Sequence, residues 1–129
     1  MIGRTAEAPD GWAVLQLNKT IIKAEIARTS AQRAQGLSGR RALGTDEGML
    51  FVFPQDTAPG FWMKEMNFAI DIVWLDSSGA IVEINKNLNP DSFPQLFYPP
   101  RPIRYVLELP AGLTDKLQLK TGDIIHLNA

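Results

Sequence analysis

The sequence predicts a single β-rich α+β domain: a partly open mixed β-barrel of about seven or eight strands with two short helices. Three observations predict it. Short segments with apolar and polar side chains alternating at period two recur along the chain, the mark of half-buried strands. Clusters of Gly, Pro, Asn, Asp and Ser punctuate them. Only two stretches have helix-forming character, and both are short enough that packing must hold them. Near-closure of such a sheet removes most of its exposed edges. With 129 residues, 45% hydrophobic and 21% charged, the chain is long enough for one core and is not disordered, collagenous or coiled-coil in composition.

Met1 to Gly11 carries Gly, Pro and charge without periodicity and is expected to be a mobile lead-in, so that 1–19 holds the lead-in and a possible first strand and 20–129 the domain. Trp12 to Leu17 is a short apolar strand. Thr20 to Ala27 alternates, with Ile22, Ala24 and Ile26 on one face and Lys23 and Glu25 on the other. Thr29 or Ser30 caps a two-turn helix through Gln35, and Gly36 stops it. Arg40 and Arg41 follow in a glycine-flanked loop. Met49 to Phe53 is apolar at every position, as in a strand covered on both faces. Pro54 to Gly60 is expected to be a loop and Phe61 to Lys64 a short strand. Ile70 to Leu75 and Ala80 to Ile84 flank Asp76-Ser77-Ser78-Gly79, a hairpin signal. Asn89 to Pro102 contains five of the nine prolines and cannot be a central strand. Arg104 to Leu109 resumes alternation, Leu113 to Leu119 is a short helix, and Ile124 to Leu127 a last strand.

Thirteen Lys plus Arg against 14 Asp plus Glu leave a net charge of −1, which provides no general attraction for nucleic acid or an anionic membrane. No apolar run is long enough to span a bilayer, and Met1 to Gly11 does not have the pattern of a signal peptide. The lack of cysteine excludes a disulfide framework, a zinc-thiolate site and a thiol nucleophile, and fits cytoplasm and periplasm equally. The single His126 has no context placing it beside a serine, and the scattered glycines at 36, 39, 44 and 48 form no phosphate loop.

A turn centred on Ser77 and Ser78 would set Leu75 opposite Ala80, Val73 opposite Val82 and Asp71 opposite Ile84. Asp71 then ends an otherwise apolar stripe, where an unpaired charge is costly, so it requires a partner: Lys64, a loop arginine, or other hydrogen-bond donors. It reads either as a structural anchor or as a pocket carboxylate. In an extended Phe61 to Lys64, Trp62 and Lys64 share a face that suits an anionic or sugar-like ligand, unless Trp62 and Met63 are core and Lys64 merely snorkels along them. Met49, Met63, Met66 and His126 are soft ligands, but read more economically as core methionines and a strand histidine; neither a metal nor a cofactor is expected. Glu108 falls on a strand face with Arg104 and Val106, expected to be solvated, with Tyr105, Leu107 and Leu109 inward. Phe93, Phe97 and Tyr98 on a proline-stiffened loop could cover a cleft, dock a partner, or plug the barrel end.

Six segments in this order carry a resemblance: Gly36-Leu37-Ser38-Gly39-Arg40, Gly48 to Phe53, Phe61 to Met66, Asp71 to Asp76, Val106 to Gly112, and Gly122-Asp123. Together they make the chain, from about Thr20 to Leu127, resemble the domain of unknown function 192 family of small bacterial and archaeal proteins. Ser38 departs from the family pattern, which more often has methionine there. The resemblance implies no established activity and hence no catalytic residue to carry over. It implies an exported, periplasmic protein, and it marks Arg40, Trp62, Met63, Lys64, Asp71, Glu108 and Asp123 as motif positions.

The expectation is a periplasmic binding module for an unknown polar or anionic small molecule. Arg40, Trp62, Met63, Lys64, Asp71, Tyr98 and Glu108 would line its pocket. The alternatives are a small hydrolase using Asp71 or Glu108 as general base with Arg40 or Lys64 stabilising negative charge, and an interaction module docking through the 89–102 loop. The oligomeric state is not written in the sequence.

Overall fold

The computed structural model describes residues 11–128, so all but Gly11 of the predicted lead-in lies outside the described residues. Seven strands form one mixed sheet: β1 (Trp12–Leu17), β2 (Thr20–Ala27), β3 (Glu47–Thr57), β4 (Ile70–Leu75), β5 (Ile81–Leu88), β6 (Ile103–Pro110) and β7 (His126–Asn128). Their order is β5-β4-β6-β3-β2-β1-β7. Only β2 and β3 run parallel, because α1 (Ser30–Gln35) and the loop after it carry the chain over the sheet between them. A second helix, α2 (Leu113–Lys116), follows β6 and is shorter than the sequence suggests.

The sheet curls into a half-barrel whose two outer strands approach each other. Ile81 N donates to the Asp123 carbonyl, Gly122 N to that of Ile81, and Ile125 N to that of Gly79, each at 2.8 Å. Inside lies one core, with Leu15 and Leu17 from β1, Ile22 from β2, Leu50 from β3, Val73 from β4 and Leu107 from β6. The outer face carries a second core, built on Phe51, Ile72, Trp74 and Val106 and covered by Leu37, Met63 and Phe97 from the loops. Two covered faces explain why β4 is buried at every position and why Met49 to Phe53 is apolar throughout.

Local chemistry sets the ends of α1. Thr29 Oγ1 accepts from Gln32 N at 3.1 Å while Gln32 Oε1 accepts from Thr29 N at 3.0 Å, a reciprocal cap, and Gly36 ends the helix at φ +49°. Three expectations are corrected. Pro54 does not open a loop: β3 continues to Thr57 past a register shift, where proline costs no ladder bond. Of Phe61 to Lys64, only Phe61 bridges, pairing with Phe97. The hairpin pairs Leu75 with Ile81 and Val73 with Ile84 because irregularities break the simple register. Asp76 Oδ1 causes part of this by accepting from Ser78 N, Ser78 Oγ and Ala80 N, drawing the turn around itself.

Candidate functional site

Asp71 is fully buried on the inner face of β4, as its stripe predicts. Its partners are not cations. Asn87 N donates to Oδ1 at 2.9 Å, and Oδ2 accepts from Gly112 N at 3.2 Å, Thr114 N at 3.1 Å and Thr114 Oγ1 at 2.6 Å. Backbone amides are the least expensive way to satisfy a buried carboxylate, and here they tie the end of β5 and the start of α2 to β4. Among the described residues Asp71 has no ion pair. The expected Arg40–Lys64–Asp71 constellation therefore does not form.

Arg40 instead makes a two-pronged pair with Glu25, its Nη2 at 2.8 Å from Oε1. It borders an open depression of about 300 Å³ with Glu25, Gln35 and Met49. Lys64 is exposed, with Nζ 5.7 Å from the Trp62 ring centroid. Met63 is core, 1% exposed. His126 is exposed on β7, apart from the buried Met49 and Met63. Among the described residues no three His, Asp or Glu side chains group as a metal site.

Glu108 overturns its expectation of a solvated face. It is 5% exposed, and Arg104 bonds Asp56 rather than Glu108. Residues four apart on a strand are about 13 Å apart, too far to pair. On the outer face Glu108 lies in register between Met49 of β3 and Ile72 of β4. Its carboxyl finds neither hydrogen-bond donor nor cation among the described residues, and burial pushes it up to about 8.

This acid belongs to a cleft of about 140 Å³ between the end of α1 and the loop before β4. Gly36, Leu37 and Ser38 form one lip; Phe61, Trp62 and Met66 form the other; Phe51 and Glu108 come from the sheet. Phe61 packs edge-on against Phe51 at 5.0 Å and against Trp74 at 5.5 Å, a rigid aromatic wall. Ser38 Oγ donates to the Lys64 carbonyl at 2.8 Å and Gly39 N to that of Glu65 at 2.8 Å, fixing the lips relative to each other. Arg33 also lines the cleft, but its guanidinium bonds the carbonyls of Arg28 and Val52 and lies over Phe53. Trp62, 46% exposed, rests against Phe93 at 5.0 Å; Tyr98, 56% exposed, lies over Gly60, where a Cβ would meet its ring at 2.8 Å. Of the seven predicted pocket residues, Trp62 and Glu108 line the cleft. Phe51, Phe61 and Met66 complete its walls, and none was expected there.

The family model described as Uncharacterized ACR, the domain of unknown function 192, matches residues 13–127. The chain belongs to that family. A UPF0127 protein of Thermococcus kodakarensis is 30% identical over 80% of this chain, and the match spans 63% of that longer protein. A UPF0127 protein of Pyrococcus abyssi is 30% identical over 81% of the chain and 85% of its own length. A crystal structure of a protein of unknown function from Novosphingobium aromaticivorans shares the fold at a TM-score of 0.86 and 26% identity, covering 96% of this chain and 91% of that one. Membership gives the family's fold and motif order to the chain, and no activity comes with it.

Proposed function

We propose that this member of the family is a small-molecule binding module and that the cleft between the end of α1 and the loop before β4 is its binding site. One observation carries the reading: Glu108, 5% exposed and with no hydrogen-bond donor or cation among the described residues, lines an aromatic-walled cleft. A carboxyl stripped of most of its water and given no protein donor is destabilised when ionised, and a donor or cation arriving in the cleft would relieve that. The volume, about 140 Å³, suits a ligand of roughly one ring, since an apolar cavity of about 150 Å³ holds benzene. The exposed edge of Trp62 lets a somewhat longer molecule extend outward. A carboxyl near 8 also suits general acid–base work at neutral pH, the enzymatic alternative. Binding is the better supported reading, because Asp71 serves the opposite core and the Arg33 guanidinium is already engaged. We place the binding in the periplasm on the exported character that the resemblance implies.

Titrating labelled protein with a panel of one-ring fragments tests the reading. Ligands should shift the amide signals of Gly36 and Ser38 and the Trp62 indole together, and Trp62→Ala should weaken them several-fold. Shifts that cluster around Arg40 or Lys64, or none at millimolar fragment, would rule the cleft out.

A further inference from the structure

We propose that the cleft takes a small organic cation, a primary or secondary amine, with its ammonium on the Glu108 carboxylate and its hydrocarbon body between Phe51, Phe61, Trp62 and Met66. This rests on the reading of the cleft as a ligand site and reverses the ligand charge that Arg40 and Lys64 suggest from sequence.

The sign follows from which charged groups are already paired. On β2, Glu25 is taken by Arg40. On β3, Glu47 accepts from Gly44 N at 2.9 Å. On α1, Arg33 bonds main-chain carbonyls, and on β6 itself Arg104 bonds Asp56. On β4, Asp71 faces the other core within its four donors. In the loop, Lys64 and Glu65 are exposed. Among the described groups around the cleft, the Glu108 carboxyl has neither a hydrogen-bond donor nor a counter-charge, so below pH 8 an incoming cation favours its ionised form. The walls agree, because aromatic faces and a thioether attract an ammonium while shielding it from water. Trp62 already holds one, the Lys64 Nζ at 5.7 Å from its centroid. The volume, about 140 Å³, is well under the roughly 300 Å³ at which pockets for drug-sized ligands begin, and so favours a ligand smaller than a nucleotide.

Binding is a proton exchange without covalent change. In the empty cleft at pH 7 the carboxyl is mostly protonated. The arriving ammonium keeps its own proton and donates it in a hydrogen bond, while the Glu108 proton leaves to solvent. Affinity for the amine therefore rises about tenfold per pH unit well below 8, about fivefold from pH 7 to 8, and levels off above that.

Calorimetric titration with benzylamine and with benzyl alcohol at pH 6, 7 and 8, in two buffers of different ionisation enthalpy, tests this. Benzylamine, protonated throughout that range, should bind at least tenfold tighter than the alcohol at pH 8, lose about fivefold from pH 8 to 7 and about tenfold more to pH 6, and release close to one proton at pH 7. Glu108→Gln should make the two ligands alike. Equal binding of amine and alcohol to the wild type at pH 8, or an amine preference that survives in Glu108→Gln, overturns the proposal. Alcohol binding without amine preference removes only the amine, whereas failure of both ligands removes the cleft as a ligand site. The wild-type pH series and proton count decide the matter without the variant.

Discussion

Asp71 and Glu108 sit on adjacent strands, both buried, one facing each core, and their surroundings give them opposite physics. Asp71 has its hydrogen-bonding capacity met, because four donors converge on it. Removing it in Asp71→Ala leaves three amides and a hydroxyl unpaired in the interior, and should cost roughly 3 kcal/mol in chemical denaturation. Lys64→Ala, at an exposed site, should change stability by under about 0.5 kcal/mol. Equal losses at 71 and 64 would mean that the buried donors do not matter. Burial desolvates Glu108, so its proton is held more tightly folded, at about 8, than unfolded, at 4.5. The stability this gives is complete below pH 4.5 and is lost as pH rises towards 8, at up to about 1.4 kcal/mol per unit. Unfolding measured from pH 5 to 8 should show that decline in the wild type and not in Glu108→Gln. A flat wild-type profile would place the carboxyl in water.

At the scale of elements, α1 matters because its last turn becomes a lip of the cleft. Thr29→Ala removes the Oγ1 acceptor of the reciprocal cap and should cost about 1 kcal/mol. It should also speed amide exchange at Gly36 and Ser38 and weaken any cleft ligand; ligand affinity that stays constant while the helix frays would separate the lip from the site. The cap and stop of this helix were legible because each depends on a residue and its immediate neighbours. The hairpin register was not, since the Asp76 side chain gathers three donors and shifts the pairing. Glu108 was misread for a related reason. Alternation in β6 separates two faces but does not say that both are covered. The signal was one strand away: Met49 to Phe53 is apolar on both faces, and Glu108 of the paired β6 sits beside Met49 under that cover. Asp71 was readable as buried from its stripe. Its donors were not, because they come from the end of β5 and the start of α2, which meet only when β4 pairs with both β5 and β6.

At the scale of the whole molecule, the two edges of the half-barrel are tied by a seam of main-chain bonds between Gly79–Ile81 and Gly122–Ile125. Period-two segments and turn residues announce such an architecture, but nothing local announces which edges will meet. Gly79 marks the seam twice over. Its φ of +86° disfavours a side chain, and a Cβ there would fall 2.5 Å from the Ile125 carbonyl oxygen, an atom of the opposing backbone that cannot rotate away. Gly122 supplies the control, with φ +95° and nothing within 4 Å of its Cβ position. Gly122→Ala should cost only the conformational penalty, about 1 kcal/mol. Gly79→Ala adds the clash, and should cost at least about 2 kcal/mol and raise amide exchange at Ile81 and Ile125 together, because opening one bond of the seam strains the others. If the two substitutions cost the same and exchange at Ile81 and Ile125 stays slow, the close approach carries no energy and the sheet is stable with its edges apart.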